Sequence, residues 1–275
     1  MDSILILMLL GLGIGTIGTL IGAGGGFILV PVLIILYPDM GPETITAISL
    51  AIVALNAFVG SVVYLRKGRV DFKAGVIFAA ATIPGSIIGV YVNKFIPREK
   101  FDIIFGIVLI ALAIFLFFSG GKKKGTILSK IKPSNTYQKK MDKSGVVYEY
   151  AYNLKRGVLI AVFIGFFSPL LGIGGGVIHV PAMTEILSFP VHIATATSQF
   201  ILAIMAAVSV VVHYFEGSYD NPQTIKLMWG LGVGIIPGAM IGARISSLVK
   251  GKVIIRVLSI SLVIIGIKIL TSAIF

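Results

Sequence analysis

The chain contains no cysteine, one tryptophan and three histidines, and only 12% of its 275 residues are charged. The missing thiols exclude a structural disulfide, a thiolate metal centre and any cysteine relay. Three histidines without clustered carboxylates make no metal site, and no nucleophile–base pair stands out, so neither a cofactor nor an enzyme is expected. Acids are scarcer than bases, eleven against twenty-three, for a formal net charge of +12. None of these acids falls deep inside an apolar run, which argues against a cation-selective centre or an intramembrane carboxylate relay.

Apolar length is what the chain has in abundance. It is 57% hydrophobic, and long apolar runs recur over 45–65, 74–92, 103–118, 191–214, 227–245 and 253–275. Several reach the roughly 17–25 residues a bilayer-spanning helix needs. A soluble domain has no core able to bury that many helices apolar on every side. The expected class is therefore an all-α polytopic membrane protein in the cell membrane, with lipid as its main surroundings. Ten Lys/Arg and two acids lie within 121–156. Between membrane segments, such a stretch reads as a cytoplasmic loop and not as a nucleic-acid surface.

The chain also repeats itself. "TLIGAGGGFILVP" at 19–31 returns as "PLLGIGGGVIHVP" at 169–181, with Gly22/Gly172, Gly24/Gly174, Gly25/Gly175, Gly26/Gly176 and Pro31/Pro181 in register. After one residue of slippage, Thr46 and Ser49 match Thr195 and Ser198, and Gly68 and Asp71 match Gly217 and Asp220. Further on, "IPGSIIG" at 83–89 matches "IPGAMIG" at 236–242. An internal duplication of this kind is the signature of secondary transporters. The expected units are 1–120, a basic linker at 121–156, and 157–275.

Each half reads as a glycine-interrupted segment (4–37 and 157–188) followed by three spans: 43–65, 72–92 and 100–118, then 191–214, 224–247 and 252–274. A first segment of over 30 residues is too long for a simple crossing of about 30 Å. It is either a steeply tilted helix or one that breaks at the glycines and turns back. Re-entry inverts the two halves. It places the acidic stretches 37–43 and 215–220 outside, and the basic stretches 66–73 and 249–252 inside, as the positive-inside bias prefers. Lys94, Arg98 and Lys100 then fall outside, against that bias.

Two readings of the glycines compete. Small residues at Gly22/Gly26 and Gly172/Gly176 suit close helix packing. A broken helix instead frees backbone N–H groups and exposes a positive dipole end, which suits a small anion. The matched copies favour the anion. The candidate binding residues are Gly24, Gly25, Gly26, Gly174, Gly175 and Gly176, the helix-start hydroxyls Ser49, Thr195 and Ser198, and the two intramembrane amides Asn56 and Gln199. The set closes with His179, which stands where the other half has Leu29. Each hydroxyl has a competing local use, bonding back to its own helix carbonyls.

The duplicated "GxGGGxxxxP", each copy followed by an Ala-Thr-Ser-containing helix start, resembles the sulfite exporter TauE/SafE family over essentially the whole chain, most clearly at 11–93 and 159–247. The resemblance implies a secondary transporter, by default an exporter, of small sulfur-containing anions such as sulfite or sulfonates. It also implies a substrate region at Gly24–Gly26, Ser49, Gly174–Gly176, Ser198 and Gln199. The second half writes "TATSQ" where "GTS" is common in the family, and the cysteines of a thiosulfate-handling branch are missing. Alternating access around a site at the repeat interface is the expected mechanism, with protons or ions as coupling partners. A passive anion channel, an uptake carrier for a related organic anion, and a structural protein with packing glycines are the alternatives.

Overall fold

The computed structural model describes residues 3–119, 136–246, 248–249 and 251–274. The first half forms α1 (Ile4–Ile21), α2 (Gly26–Leu36), α3 (Pro42–Arg66), α4 (Phe72–Asn93) and α5 (Arg98–Ser119). The second forms α6 (Leu154–Leu171), α7 (Gly176–Pro181) with a π-helical turn at Ala182–Ile186, then α8 (Val191–Phe215), α9 (Pro222–Ile245) and α10 (Gly251–Ile274). By length and composition, α1, α3, α4, α6, α8 and α9 can each cross a membrane. The architecture is an all-α multi-pass membrane bundle.

Both first segments break at their glycines. Helix α1 stops at Gly22 (φ +83°) and α6 at Gly172 (φ +68°). Gly24 and Gly25 follow at +78° and +88°, Gly174 and Gly175 at +81° and +70°. A side chain at these angles would clash with its own backbone, so the helix ends where the glycine run begins.

Helix directions follow from the contacts. On α9, Gly230, Gly234, Gly238 and Gly242 form a groove one residue wide. Into it α1 lays Leu7, Met8, Leu12 and Thr16, in rising order along both helices. Helices α1 and α9 therefore run the same way. Helix α3 runs with them: Glu43 meets Ser218 at one end, and the Lys67 ammonium reaches the Ala243 carbonyl at the other. Helices α4, α6 and α8 share the opposite direction. Gly85 and Gly89 pack on the backbone of Phe166, Asp71 meets Thr197, and Lys94 pairs with Glu216. These α4 and α9 glycines, like Gly11 and Gly15 on α1, serve close packing.

The linker holds an element that the helical patterning does not announce. Strands β1 (Thr136–Met141) and β2 (Val147–Tyr152) pair antiparallel, Thr136 opposite Tyr152 and Met141 opposite Val147. The hairpin lies where α3 ends and α4 and α8 begin. Its Tyr150 and Tyr152 rings sit 4.8 and 4.7 Å from the Phe189 ring, within a buried cluster with Phe78, Ala74 and Ala194. The start of the basic segment, 120–135, lies outside the described residues.

Candidate functional site

The two glycine breaks cross each other in the buried centre of the bundle. A Cβ on Gly26 would lie 2.6 Å from the Gly172 carbonyl oxygen, and one on Gly176 would lie 2.2 Å from that of Gly22. The outer glycines of each motif thus let one half's backbone touch the other's. The middle glycines do something else: the open sides of Gly24 and Gly174 both face Val53, and Gly24 also faces Leu202.

Polar side chains of α3 and α8 hold the crossing by exchange between halves. Ser49 donates to the Gly172 carbonyl (2.6 Å), and its repeat mate Ser198 donates to the Gly22 carbonyl (3.0 Å). Each serine therefore satisfies the carbonyl that ends the other half's broken helix, where no intrahelical partner exists. Thr195 reaches the Ile21 carbonyl at 3.5 Å, and the Gln199 amide donates to that of Gly18 at 3.3 Å. Asn56 works within its own half: its amide donates to the Gly24 carbonyl (3.0 Å) while its oxygen accepts from Thr19 (2.8 Å).

The serine hydroxyl hydrogens are thus engaged with carbonyls in this arrangement. The donors left over belong to the backbone. Among the described residues, the N–H groups of Gly25, Gly26 and Phe27 have no acceptor, nor do those of Gly174, Gly175 and Val177. All six residues are buried. Buried N–H groups are nearly always paired, so these six leave an unmet demand for an acceptor. The helix ends behind them, α2 and α7, add positive dipole ends of the same sign.

The structure brings eleven of the twelve sequence candidates to the crossing. His179 is buried on α7 with its backbone N–H on the Gly175 carbonyl at 2.8 Å, while neither ring nitrogen is hydrogen-bonded. Sequence reasoning passed over several participants. Asn93, at the end of α4, donates to the Leu170 carbonyl (2.7 Å), and Thr19 anchors Asn56. Ser168 is buried, its hydroxyl has no partner, and it stands 3.0 Å from where a Gly175 Cβ would be. Val53 and Leu202 are repeat mates four residues beyond Ser49 and Ser198. Extending the serine match by one helical turn finds them, although an apolar residue in an apolar span carries no signal alone. Among the described residues there is no group of three His, Asp or Glu able to hold a metal.

A family model described as "Sulfite exporter TauE/SafE" matches residues 7–269. The chain is 33% identical to the probable membrane transporter protein YunE of Bacillus subtilis, with 99% of each chain covered. It is 27% identical to the probable membrane transporter protein MJ0441 of Methanocaldococcus jannaschii, over 86% of this chain and 80% of that one. The probable membrane transporter protein YdhB of Bacillus subtilis is 24% identical over 92% of both. No solved structure matches the chain.

Proposed function

Since the chain belongs to the TauE/SafE family of membrane transporters, and so is no enzyme, we propose that it carries small sulfur-containing anions, sulfite or sulfonates, by alternating access, with export as the direction. The observation that carries this reading is the pair of buried glycine breaks, each with three unpartnered N–H donors, crossing at the centre of the bundle. Backbone donors suit an oxyanion because they offer short, converging N–H groups without a bulky or charged side chain. The glycine turns and the starts of α2 and α7 supply them, one set from each half.

The helix directions support an inverted repeat. Helices α1, α3 and α9 oppose their neighbours α4, α6 and α8, so α1, α3 and α4 are each antiparallel to their mates α6, α8 and α9. Helices α1 and α3 point the same way, which requires the chain to turn back through α2. Helix α7 and its π-turn do likewise in the second half. With the hairpin end cytoplasmic, Lys67, Lys139, Lys140 and Lys143 face inward, while Glu43, Glu216 and Asp220 face outward, as the positive-inside bias requires.

Both ends are closed by contacts between halves. Outside, Ser218 donates to Glu43 (2.9 Å), Tyr219 donates to the Ala47 carbonyl (3.2 Å), and Lys94 pairs with Glu216. Inside, the hairpin covers the mouth. Val53 and Leu202 fill the space between the breaks, which suits a carrier that opens to one side at a time and not a standing channel.

Purified protein in proteoliposomes tests this. A carrier gives saturable uptake of sulfite or sulfoacetate and accelerates labelled-anion entry when the lumen is preloaded with the same anion. Linear, non-saturating flux without counterflow would replace the carrier with a channel. Wild-type rates from Gly25→Ala and Gly175→Ala variants that still fold would remove the glycine breaks from the path.

A further inference from the structure

The duplication predicts how each end of the bundle should close, and one end does not follow it. In the repeat register, Ser218 corresponds to Arg69 and Glu43 to His192. At the outer end Ser218 donates to Glu43 across the halves. At the hairpin end the same two positions hold Arg69 and His192, and among the described residues neither half supplies an acid that pairs with the arginine. Lys67 and Arg244 add positive charge within electrostatic reach. Burial, and then Arg69, hold the Lys67 ammonium below its ordinary range, as expected where cations crowd together.

The missing acid arrives from outside the repeats. Asp142, in the turn of the hairpin, takes both Nε and Nη2 of Arg69 on one oxygen at 2.9 Å. Its other oxygen accepts from the Ser144 backbone and hydroxyl and from the Val146 N–H. Arg69 is 5% exposed and Asp142 3%. The third guanidinium nitrogen, Nη1, is buried and has no partner. The fork is therefore only partly filled by the carboxylate, although its geometry suits an anion with three oxygens.

The same hairpin is what closes the mouth. The Lys143 N–H bonds the Lys67 carbonyl, the Lys140 ammonium reaches the Val70 carbonyl, and the Tyr150 hydroxyl donates to Asp71 at 2.8 Å. Asp71 in turn caps α4 by accepting from the Ala74 N–H and donates its own N–H to the Thr197 hydroxyl of α8. One carboxylate thus sits between a cationic mouth and the strap lying over it.

We propose that Arg69 is an oxyanion-binding site at this mouth, occupied in the closed state by the Asp142 carboxylate, and that a sulfonate-like anion opens the mouth by taking that carboxylate's place. This rests on the anion-transport reading and adds a second site to it, one that couples arrival of substrate to release of the hairpin. An anion bearing three oxygens can engage Nε, Nη2 and Nη1 together. Asp142 offers a single oxygen, held close by its own hairpin.

The test uses the full-length chain in detergent, whose lack of cysteine allows one reporter. Ala74→Cys lies buried beneath the hairpin, and its reaction with a water-soluble maleimide reads hairpin release without requiring transport. At equal ionic strength, methanesulfonate should speed labelling about tenfold over chloride, the response of a closed mouth shifted open by a ligand that favours the open form. Adding Asp142→Asn should give fast labelling with or without the anion. Adding Arg69→Lys, which keeps the charge and loses the fork, should blunt the methanesulfonate response. Equal labelling in methanesulfonate and chloride overturns the proposal, as does an Asp142→Asn background that stays slow. Liposome flux without a labelling response leaves the carrier standing and removes the mouth site. A labelling response without flux does the reverse.

Discussion

Replacing Gly176 by alanine probes the crossing of the two breaks with little conformational penalty of its own. Gly176 is the first residue of α7 and lies outside the left-handed region, so alanine fits the backbone and favours helix by up to about 1 kcal/mol. The cost is contact. The new Cβ would sit 2.2 Å from the Gly22 carbonyl oxygen and 2.6 Å from the Ala23 Cα, where ordinary contact begins near 3.4 Å. The breaks must separate by about 1 Å, a strain of roughly 1–3 kcal/mol in a packed interior. The Gly22 carbonyl also accepts from Ser198 at 3.0 Å, and moving it that far loses a further ~1 kcal/mol. The net expectation is about 1–3 kcal/mol of destabilisation. Anion counterflow should fall further than stability does, because the unpartnered N–H groups move with the break.

Two comparisons sharpen this prediction. Gly26→Ala makes the mirror-image clash, 2.6 Å from the Gly172 carbonyl that Ser49 bonds. Because either methyl separates the same two segments, the double variant should cost less than the two single effects added, with a coupling of about 0.5–3 kcal/mol. Gly13→Ala, on α1 with nothing within 4 Å of its Cβ, should be neutral or stabilising. Thermal unfolding in detergent and counterflow in proteoliposomes supply both readouts. A Gly176→Ala protein as stable and as active as Gly13→Ala would refute the crossing as the seat of transport.

His179→Leu restores the residue that the first half carries at Leu29 and removes two buried, unpartnered ring nitrogens. It should stabilise the fold by about 1–3 kcal/mol and reduce anion transport, and full transport in the stabilised variant would take His179 out of the site. Burial alone would raise the Asp142 carboxyl, yet hydrogen bonds from Ser144, Val146 and Arg69 outweigh it and hold the group at about 2, below its ordinary 3.8. A depressed acid stabilises docking fully above its unfolded value and loses that contribution as pH falls through the folded one. Amide-exchange protection of β1 and β2 should therefore hold flat from about pH 8 to 5 and decline between about pH 4 and 2, with the decline absent in Asp142→Asn. A decline centred near pH 6 would point to a different group.

Much of this architecture was legible in the residues because the relevant signals are chemical opposites of their surroundings. Glycine runs inside apolar segments offered both helix breaks as one of two readings, beside a steeply tilted helix, and the gapless match of Gly22–Pro31 with Gly172–Pro181 tied the two segments together. Helix limits after the broken segments came within a few residues, since apolar runs end where Lys, Asp and Pro begin. The serines were found, but the direction of their bonds was not. Nothing local says that Ser49 would cap the other half's helix in preference to its own carbonyls, because that depends on the breaks crossing. Asn93 escaped notice at a helix end, where an amide reads as interfacial. The hairpin escaped because Lys-rich alternation such as "TYQKKM" reads as a loop until Tyr150 and Tyr152 find Phe189 to cover.

The departures from symmetry matter more than the symmetry itself. Two identical halves, inverted, would close both faces by the same contacts and give neither direction an advantage. Here the centre keeps much of its symmetry: Ser49 with Ser198, and Val53 with Leu202. The ends do not. One is sealed by Glu43 and Ser218 from the repeats themselves. The other depends on Asp142, carried on a segment with no counterpart. A carrier needs a centre that treats its anion alike from both sides and gates that respond to different conditions on each. Moving the inner gate's acid onto the linker separates those two requirements. The hairpin can then change its hold on Arg69 without disturbing the glycine breaks at the centre.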